Sequence, residues 1–200
     1  MRIAGVILAG GTSRRMGGQE KAFLTVGGTP ILTRIAHTLA AQCNPVMINA
    51  GGDLARFATF GLDVIADTQC RGPMAGLAGA LDWFAGADAN ITHILSVPSD
   101  TPFLPSDLGK RCAAALTRDT FAACAASGGR LHPVIGLWPL AARHAMHETM
   151  ERGALSFHAV LDGKFTAEVE WETQPRDPFF NVNTPRDLAA AELLAGASAA

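Results

Sequence analysis

The stretch Ile3-Ala4-Gly5-Val6-Ile7-Leu8 carries no polar side chain and runs straight into Ala9-Gly10-Gly11. Six apolar residues are too few to cross a membrane. The flanks lack the basic start, long apolar segment and cleavage site of a secretory signal. The run therefore reads as a strand entering a loop, and a strand apolar on both faces suits a parallel sheet covered by helices on each side. Three more such runs follow. Residues 45–48 precede Asn49-Ala50-Gly51-Gly52, residues 64–66 precede Asp67, and residues 93–97 precede Pro98-Ser99-Asp100.

Helical periodicity fills the gaps between these runs. Ile31, Ile35 and Leu39 recur at four-residue spacing after Thr29-Pro30, with the proline expected at the first helical position. Met74, Leu77 and Leu81 share a face after Gly72-Pro73, and Leu108, Cys112 and Leu116 do so after Pro105. Thr184-Pro185-Arg186-Asp187 reads as a cap, a helical proline and a first-turn acid. Strand and helix alternating at this spacing predict an α/β fold: a Rossmann-like sandwich with a mostly parallel sheet flanked by helices. Ligands of such sheets collect at the carboxyl ends of the strands, where the unusual loops fall. Residues 121–126, 133–138 and 165–171 read as further strands, and the Trp and Phe residues as core.

The chain has 200 residues, 48% hydrophobic and 17% charged, with a net charge of −2. One domain over residues 1–200 is the economical expectation, with an Ala-rich end that frays. The hydrophobic content excludes disorder. Without a basic excess, nucleic acid is not an expected partner; nor is a membrane. The spacing of Cys43, Cys70, Cys112 and Cys124 matches no zinc motif, so the reading is a cytoplasmic chain with reduced thiols.

Four constellations could carry chemistry. The first runs from Leu8-Ala9-Gly10-Gly11 through Thr12-Ser13-Arg14-Arg15-Met16-Gly17-Gly18 to Lys21. Glycines let backbone N–H groups approach an anion, and cations neutralise it. The spacing is neither a P-loop nor G-x-G-x-x-G, and a solvated turn is the alternative. The second is Asp100, which at a strand end either holds Mg²⁺ together with substrate phosphates or forms a turn. The third is Asp67 with Gly72-Pro73-Met74-Ala75-Gly76 beyond it, and Asn49 ending the neighbouring run: anion or base contacts, or plain β–α turns. The fourth is His132-Pro133 with Asn181-Val182-Asn183-Thr184-Pro185, which nothing local decides. His144 and His147, with Glu148 and Glu151, resemble a metal face but read as a solvated helix face. No G-x-S-x-G occurs, so a serine hydrolase has no support.

Together these motifs resemble nucleotidyltransferases of the sugar-nucleotide pyrophosphorylase type. More narrowly, they resemble the molybdenum cofactor guanylyltransferases. The matching residues keep their order from 8 to 185, and the later set narrows the resemblance. It implies transfer of GMP from GTP to molybdopterin with Mg²⁺ and release of pyrophosphate. It places Leu8, Ala9, Gly10, Gly11, Lys21, Asn49, Asp67 and Asp100 at the nucleotide, with Lys21 and Asp100 catalytic and Asp100 on the metal. His132, Asn181 and Asn183 fall on the pterin side. Transient contacts with molybdopterin-delivery proteins and target molybdoenzymes are also implied. Ala9-Gly10-Gly11 favours guanine over the Ala-Ala-Gly of the cytidylyl enzymes. The chain departs from the pattern at Thr12-Ser13, where a basic-small pair is common, and in the short segment between Asp67 and Gly72. A sugar-1-phosphate nucleotidyltransferase, for which the chain is short, and a nucleotide-binding module without turnover are the remaining alternatives.

Overall fold

The computed structural model describes residues 1–10, 21–67 and 71–196, with Lys21 described by its backbone only. Seven strands form the main sheet: β1 (Ile3–Leu8), β4 (Val46–Ala50), β5 (Asp63–Ala66), β6 (His93–Pro98), β7 (Ala122–Ser127), β8 (Arg130–Pro139) and β9 (Thr166–Trp171). Their order across the sheet is β5-β4-β1-β6-β8-β7-β9. All pair in parallel except β8, which runs antiparallel to both β6 and β7. The mostly parallel α/β sandwich expected from the sequence is the fold.

The sheet is buried on both faces, which is why its first strands read as unbroken apolar runs. On one face Ile7, Leu95, Val97 and Ile135 pack against α1 (Ile31–Ala40), α3 (Leu108–Ala115) and α6 (Pro185–Gly196). On the other, Ala4, Val6, Leu8 and Ile94 pack against α2 (Pro73–Ala87), α4 (Ala142–Glu151) and α5 (Phe157–Leu161). The alternation of Val6 and Ile7 between two cores is the period-2 pattern of a strand. Met74, Leu77 and Leu81 of α2 are fully buried, as their spacing demands.

Two expectations change. Pro30 does not open α1. It belongs to a two-stranded hairpin, β2 (Thr25–Val26) with β3 (Thr29–Pro30), and its ψ of 138° is extended rather than helical. The aromatic residues are not all core either: Trp83 is 43% and Phe165 66% exposed. A stacked pair, Phe23 on Phe57, and the tilted contacts of both with Phe60 close the layer beside the hairpin. The cap of α6 is reciprocal. Asp187 accepts the N–H groups of Asn183 and Thr184, while its own N–H donates to Thr184 Oγ1. Glu192 of the same helix accepts the N–H of Gly27, which ties α6 to the hairpin. The Ala-rich end, residues 197–200, lies outside the described residues.

Candidate functional site

Four adjacent strands, β5, β4, β1 and β6, end side by side, and each delivers one candidate segment. Backbone hydrogen bonds continue the sheet into these segments. The N–H of Ala9 donates to Asn49 O at 2.8 Å, that of Asp67 to Ala50 O at 2.7 Å, and that of Ser99 to Leu8 O at 3.2 Å. Asp67, Asn49, Gly10 and Asp100 thus form a row across three interstrand gaps, about 14 Å at the usual strand spacing. Gly11 and the rest of the glycine loop to residue 20, and the side chain of Lys21, lie outside the described residues.

The start of α2 closes one end of this row. Gly72 caps the helix at a φ of 100°, a left-handed geometry that favours glycine, and Pro73 follows at the first helical position. The first turn of any helix has N–H groups without intrahelical partners. One turn further on, Gly76 lies against Asn49. A Cβ on Gly76 would stand 2.5 Å from Asn49 Oδ1 and 3.7 Å from Asp67 Oδ2. Asn49 is 1% exposed, and its Nδ2 donates to Ile65 O at 3.4 Å. A Cβ on Gly10 would meet Asp67 Oδ2 at 3.5 Å. Gly10, Asn49, Asp67 and Gly76 are therefore one cluster, assembled from two strand-end loops, the end of β4 and a helix.

Asp100 lies at the other end of the row, and the chain beyond it is pinned on several sides. Arg34 donates to Pro102 O, and Arg176 lies over the Phe103 ring with its guanidinium 4.5 Å from the centroid. The Asp100 carbonyl accepts the N–H of Val182 at 2.8 Å, and Thr101 Oγ1 donates to Asn181 Oδ1 at 2.7 Å. The structure thus brings Asn181 to the Asp100 segment from 80 residues away. Asn183 follows on the same stretch, where its N–H is held by Asp187.

His132 reaches this edge because β8 is reversed. It lies near the start of its strand, opposite Ala125 near the end of β7. Its Nε2 is 2.9 Å from Ser127 Oγ, and that hydroxyl is 2.9 Å from Asp177 Oδ1. The ring packs at a tilt on Phe179, centroids 5.1 Å apart. Burial holds the imidazole below its usual range, and Arg130 adds to this, while Asp177 and Glu170 pull the other way. Sequence reading missed Ser127 and Asp177. Neither stands in a motif, and the only available signal was Asp177 in a polar turn before Pro178.

Asp100 would offer a metal ion its carboxylate at the strand end. Among the described residues no three His, Cys, Asp or Glu side chains converge. That sparse, all-oxygen donor set fits Mg²⁺, which keeps substrate phosphates and waters as its other ligands. His147 is committed elsewhere, 2.7 Å from Asp82, with Arg143 also on that carboxylate. Its helix face is the solvated one expected. Cys43, Cys112 and Cys124 are free and buried, and burial pushes the first two up to about 12. Among the described residues no helix is long and apolar enough to cross a membrane.

A family model described as the MobA-like NTP transferase domain matches residues 5–164. A molybdenum cofactor guanylyltransferase of Bradyrhizobium sp. (strain ORS 278) is 46% identical, over 96% of this chain and 93% of its own length. Solved structures show the same fold. Molybdopterin-guanine dinucleotide biosynthesis protein A of Archaeoglobus fulgidus is 19% identical with a TM-score of 0.73, covering 98% of this chain and 100% of its own. The 4-diphosphocytidyl-2C-methyl-D-erythritol synthase of Anaerococcus prevotii is 12% identical with a TM-score of 0.77, over 96% of this chain and 95% of its own.

Proposed function

The chain belongs to the molybdenum cofactor guanylyltransferases, within the MobA-like NTP transferases, and from that premise we propose that it transfers GMP from GTP to molybdopterin, with Mg²⁺, in the cytoplasm. Pyrophosphate leaves and the molybdopterin guanine dinucleotide forms. One observation carries the reading: Asp67, Asn49, Gly10 and Asp100 end four neighbouring strands in a single row. Such a row can lay a nucleotide along the sheet edge, with its base at the Asn49–Asp67–Gly76 end and its phosphates toward Asp100.

The residues divide the work as follows. The backbone of Leu8, Ala9, Gly10 and Gly11 lines the nucleotide. Asn49 and Asp67 contact guanosine or shape its site, and Asp67 can accept from the N–H groups of a guanine edge. Lys21 meets the triphosphate as a compact positive charge. Asp100 holds the metal, which would supply charge neutralisation on the phosphates. His132, Asn181 and Asn183 serve the pterin side. The acceptor's terminal phosphate is ionised at neutral pH and attacks the α-phosphorus of GTP, so a dedicated general base is not required. What remains for the protein is alignment and charge neutralisation. One nucleotidyltransferase domain over residues 1–200 houses the whole site, and delivery proteins and recipient molybdoenzymes are its transient partners.

The test is pyrophosphate release by the full chain with molybdopterin and each nucleoside triphosphate in turn. The expected result is release that needs both GTP and the acceptor. Preference for CTP would overturn the guanylyl assignment, and nucleotide binding without any turnover would overturn the enzyme assignment.

A further inference from the structure

Three groups on the acceptor side form a hydrogen-bonded line. His132 Nε2, Ser127 Oγ and Asp177 Oδ1 are spaced 2.9 Å apart at each step, and Asp177 Oδ1 also accepts the N–H of Phe179 at 2.9 Å. Ser127 is 3% and His132 9% exposed, so the bond between them is shielded from water, while Asp177 is half-buried.

The direction of the bonds follows from proton counting. A carboxylate only accepts, and a serine hydroxyl has one proton to give. The Ser127 proton goes to Asp177, since the reverse would set two lone-pair oxygens against each other at 2.9 Å. Ser127 must then accept from His132. The imidazole proton therefore sits on Nε2, and in the neutral ring Nδ1 is left as an acceptor. The charged groups acting on the ring are Asp177, Arg130 and Glu170; burial outweighs them and favours the neutral form.

The same carboxylate starts a segment that ends at the metal-binding aspartate. Asp177 accepts the N–H of Phe179, and four residues after Asp177, Asn181 Oδ1 accepts from Thr101 Oγ1. Val182 then donates to the Asp100 carbonyl. Thr101 takes one lone pair of Oδ1, and the amide N–H₂ is the donor that Asn181 can offer a ligand. An acceptor on His132 and a donor on Asn181 match a flat heterocycle whose edge carries both kinds of group.

We propose that Ser127 and Asp177 are positioning residues for the acceptor. They fix the His132 imidazole with Nδ1 as its acceptor, and they hold the 177–182 segment that ties the acceptor side to Asp100. The proposal rests on the reading of this half as the pterin side.

Steady-state kinetics on the full chain, with GTP, Mg²⁺ and molybdopterin, test it. Ser127→Ala and Asp177→Ala should raise KM for molybdopterin at least tenfold and leave KM for GTP within twofold. Asp177→Asn should restore most of the loss, because its Oδ1 can still accept from Ser127 and Phe179. Equal rises in both KM values, or no change in either, would overturn the proposal. If Ser127→Ala fails to fold, the imidazole ¹⁵N shifts of the wild-type chain decide. A neutral His132 protonated on Nε2 supports the line of bonds, and one protonated on Nδ1 overturns it. That spectrum requires no turnover. A wild-type chain that transfers no GMP would overturn the functional reading and the acceptor role with it, and the tautomer would still report on the geometry.

Discussion

The carboxamide oxygen of Asn49 occupies the space that any side chain on Gly76 would need, 2.5 Å from the Cβ position. Real Cβ atoms essentially never come this close, so one of the two must shift. Asn49 is 1% exposed and its Nδ2 is held by Ile65 O, so moving its amide costs that bond. Gly76→Ala should therefore displace the Asn49 amide, although alanine is the better helix former. The expected outcome is a rise of about tenfold in KM for GTP, roughly 1.4 kcal/mol, with KM for the acceptor unchanged. Nucleotide titrations of both proteins check this.

Asp100→Asn keeps the size of the side chain and removes the charge proposed to hold the metal. Transfer should fall at least 100-fold, about 2.7 kcal/mol of transition-state stabilisation. The melting temperature should stay within about 2 °C, because asparagine keeps the size of the side chain and an oxygen that accepts hydrogen bonds, and Val182 binds the backbone carbonyl. Wild-type turnover in this variant would remove Asp100 from the metal site.

Ser96 separates stability from function. Its hydroxyl is fully buried, accepts from Trp138 Nε1 at 3.1 Å and donates to Val134 O at 2.8 Å. Ser96→Ala leaves a buried indole N–H without its partner, at a cost of about 2 kcal/mol. For a chain of this size the melting temperature should fall by about 4–8 °C. Both KM values should stay at wild type, as measured on the folded fraction below the transition.

The pH dependence of stability has a sign at each end. His93 and His132 are held below the ordinary 6.5, in each case chiefly by burial. Their contribution is present above pH 6.5 and is lost as the pH falls through their folded-state values, since the unfolded chain then binds more protons. Buried Cys43 and Cys112 are raised from 9.0 to about 12. Their contribution is complete below pH 9 and is lost between pH 9 and about 12. Melting temperatures from pH 5 to 11 should trace a plateau with two falling edges. His93→Gln should soften the acid edge, and Cys43→Ala with Cys112→Ala the alkaline one.

The strands that position the nucleotide half were legible because burial on both faces leaves unbroken apolar runs, and Ile3–Leu8 matches its expected bounds to the residue. The cluster around Asn49 was legible only as separate loops: no local signal says that Gly76 approaches Asn49, since helix packing sets that distance. Short pieces escaped, among them the hairpin at Thr25–Val26 and the 3-10 turn at Leu54–Phe60, which are too brief to show a period. Ser127 and Asp177 escaped because their bond joins residues 50 apart, and Trp83 was misjudged because apolar character alone does not tell a core face from an exposed one. The direction of Arg130–Pro139 was hidden for a related reason: pairing partners, not composition, decide whether a strand runs up or down.

That reversal has a consequence for how the chain can change over time. Groups assigned to the donor nucleotide all come from the first hundred residues, in successive strand–loop units. Groups assigned to the recipient come from the second hundred: His132 enters the shared edge on the reversed strand β8, and Asn181 and Asn183 follow the end of β9. The two halves share one sheet through the pairing of β6 with β8, and at the site edge the bonds from Val182 and Thr101 join them. Such a seam lets insertions and substitutions in the later half alter which molecule receives the nucleotide while the donor chemistry stays as it is. A graft of residues 101–200 from a homologue with a different recipient is thus the natural way to redirect the cargo.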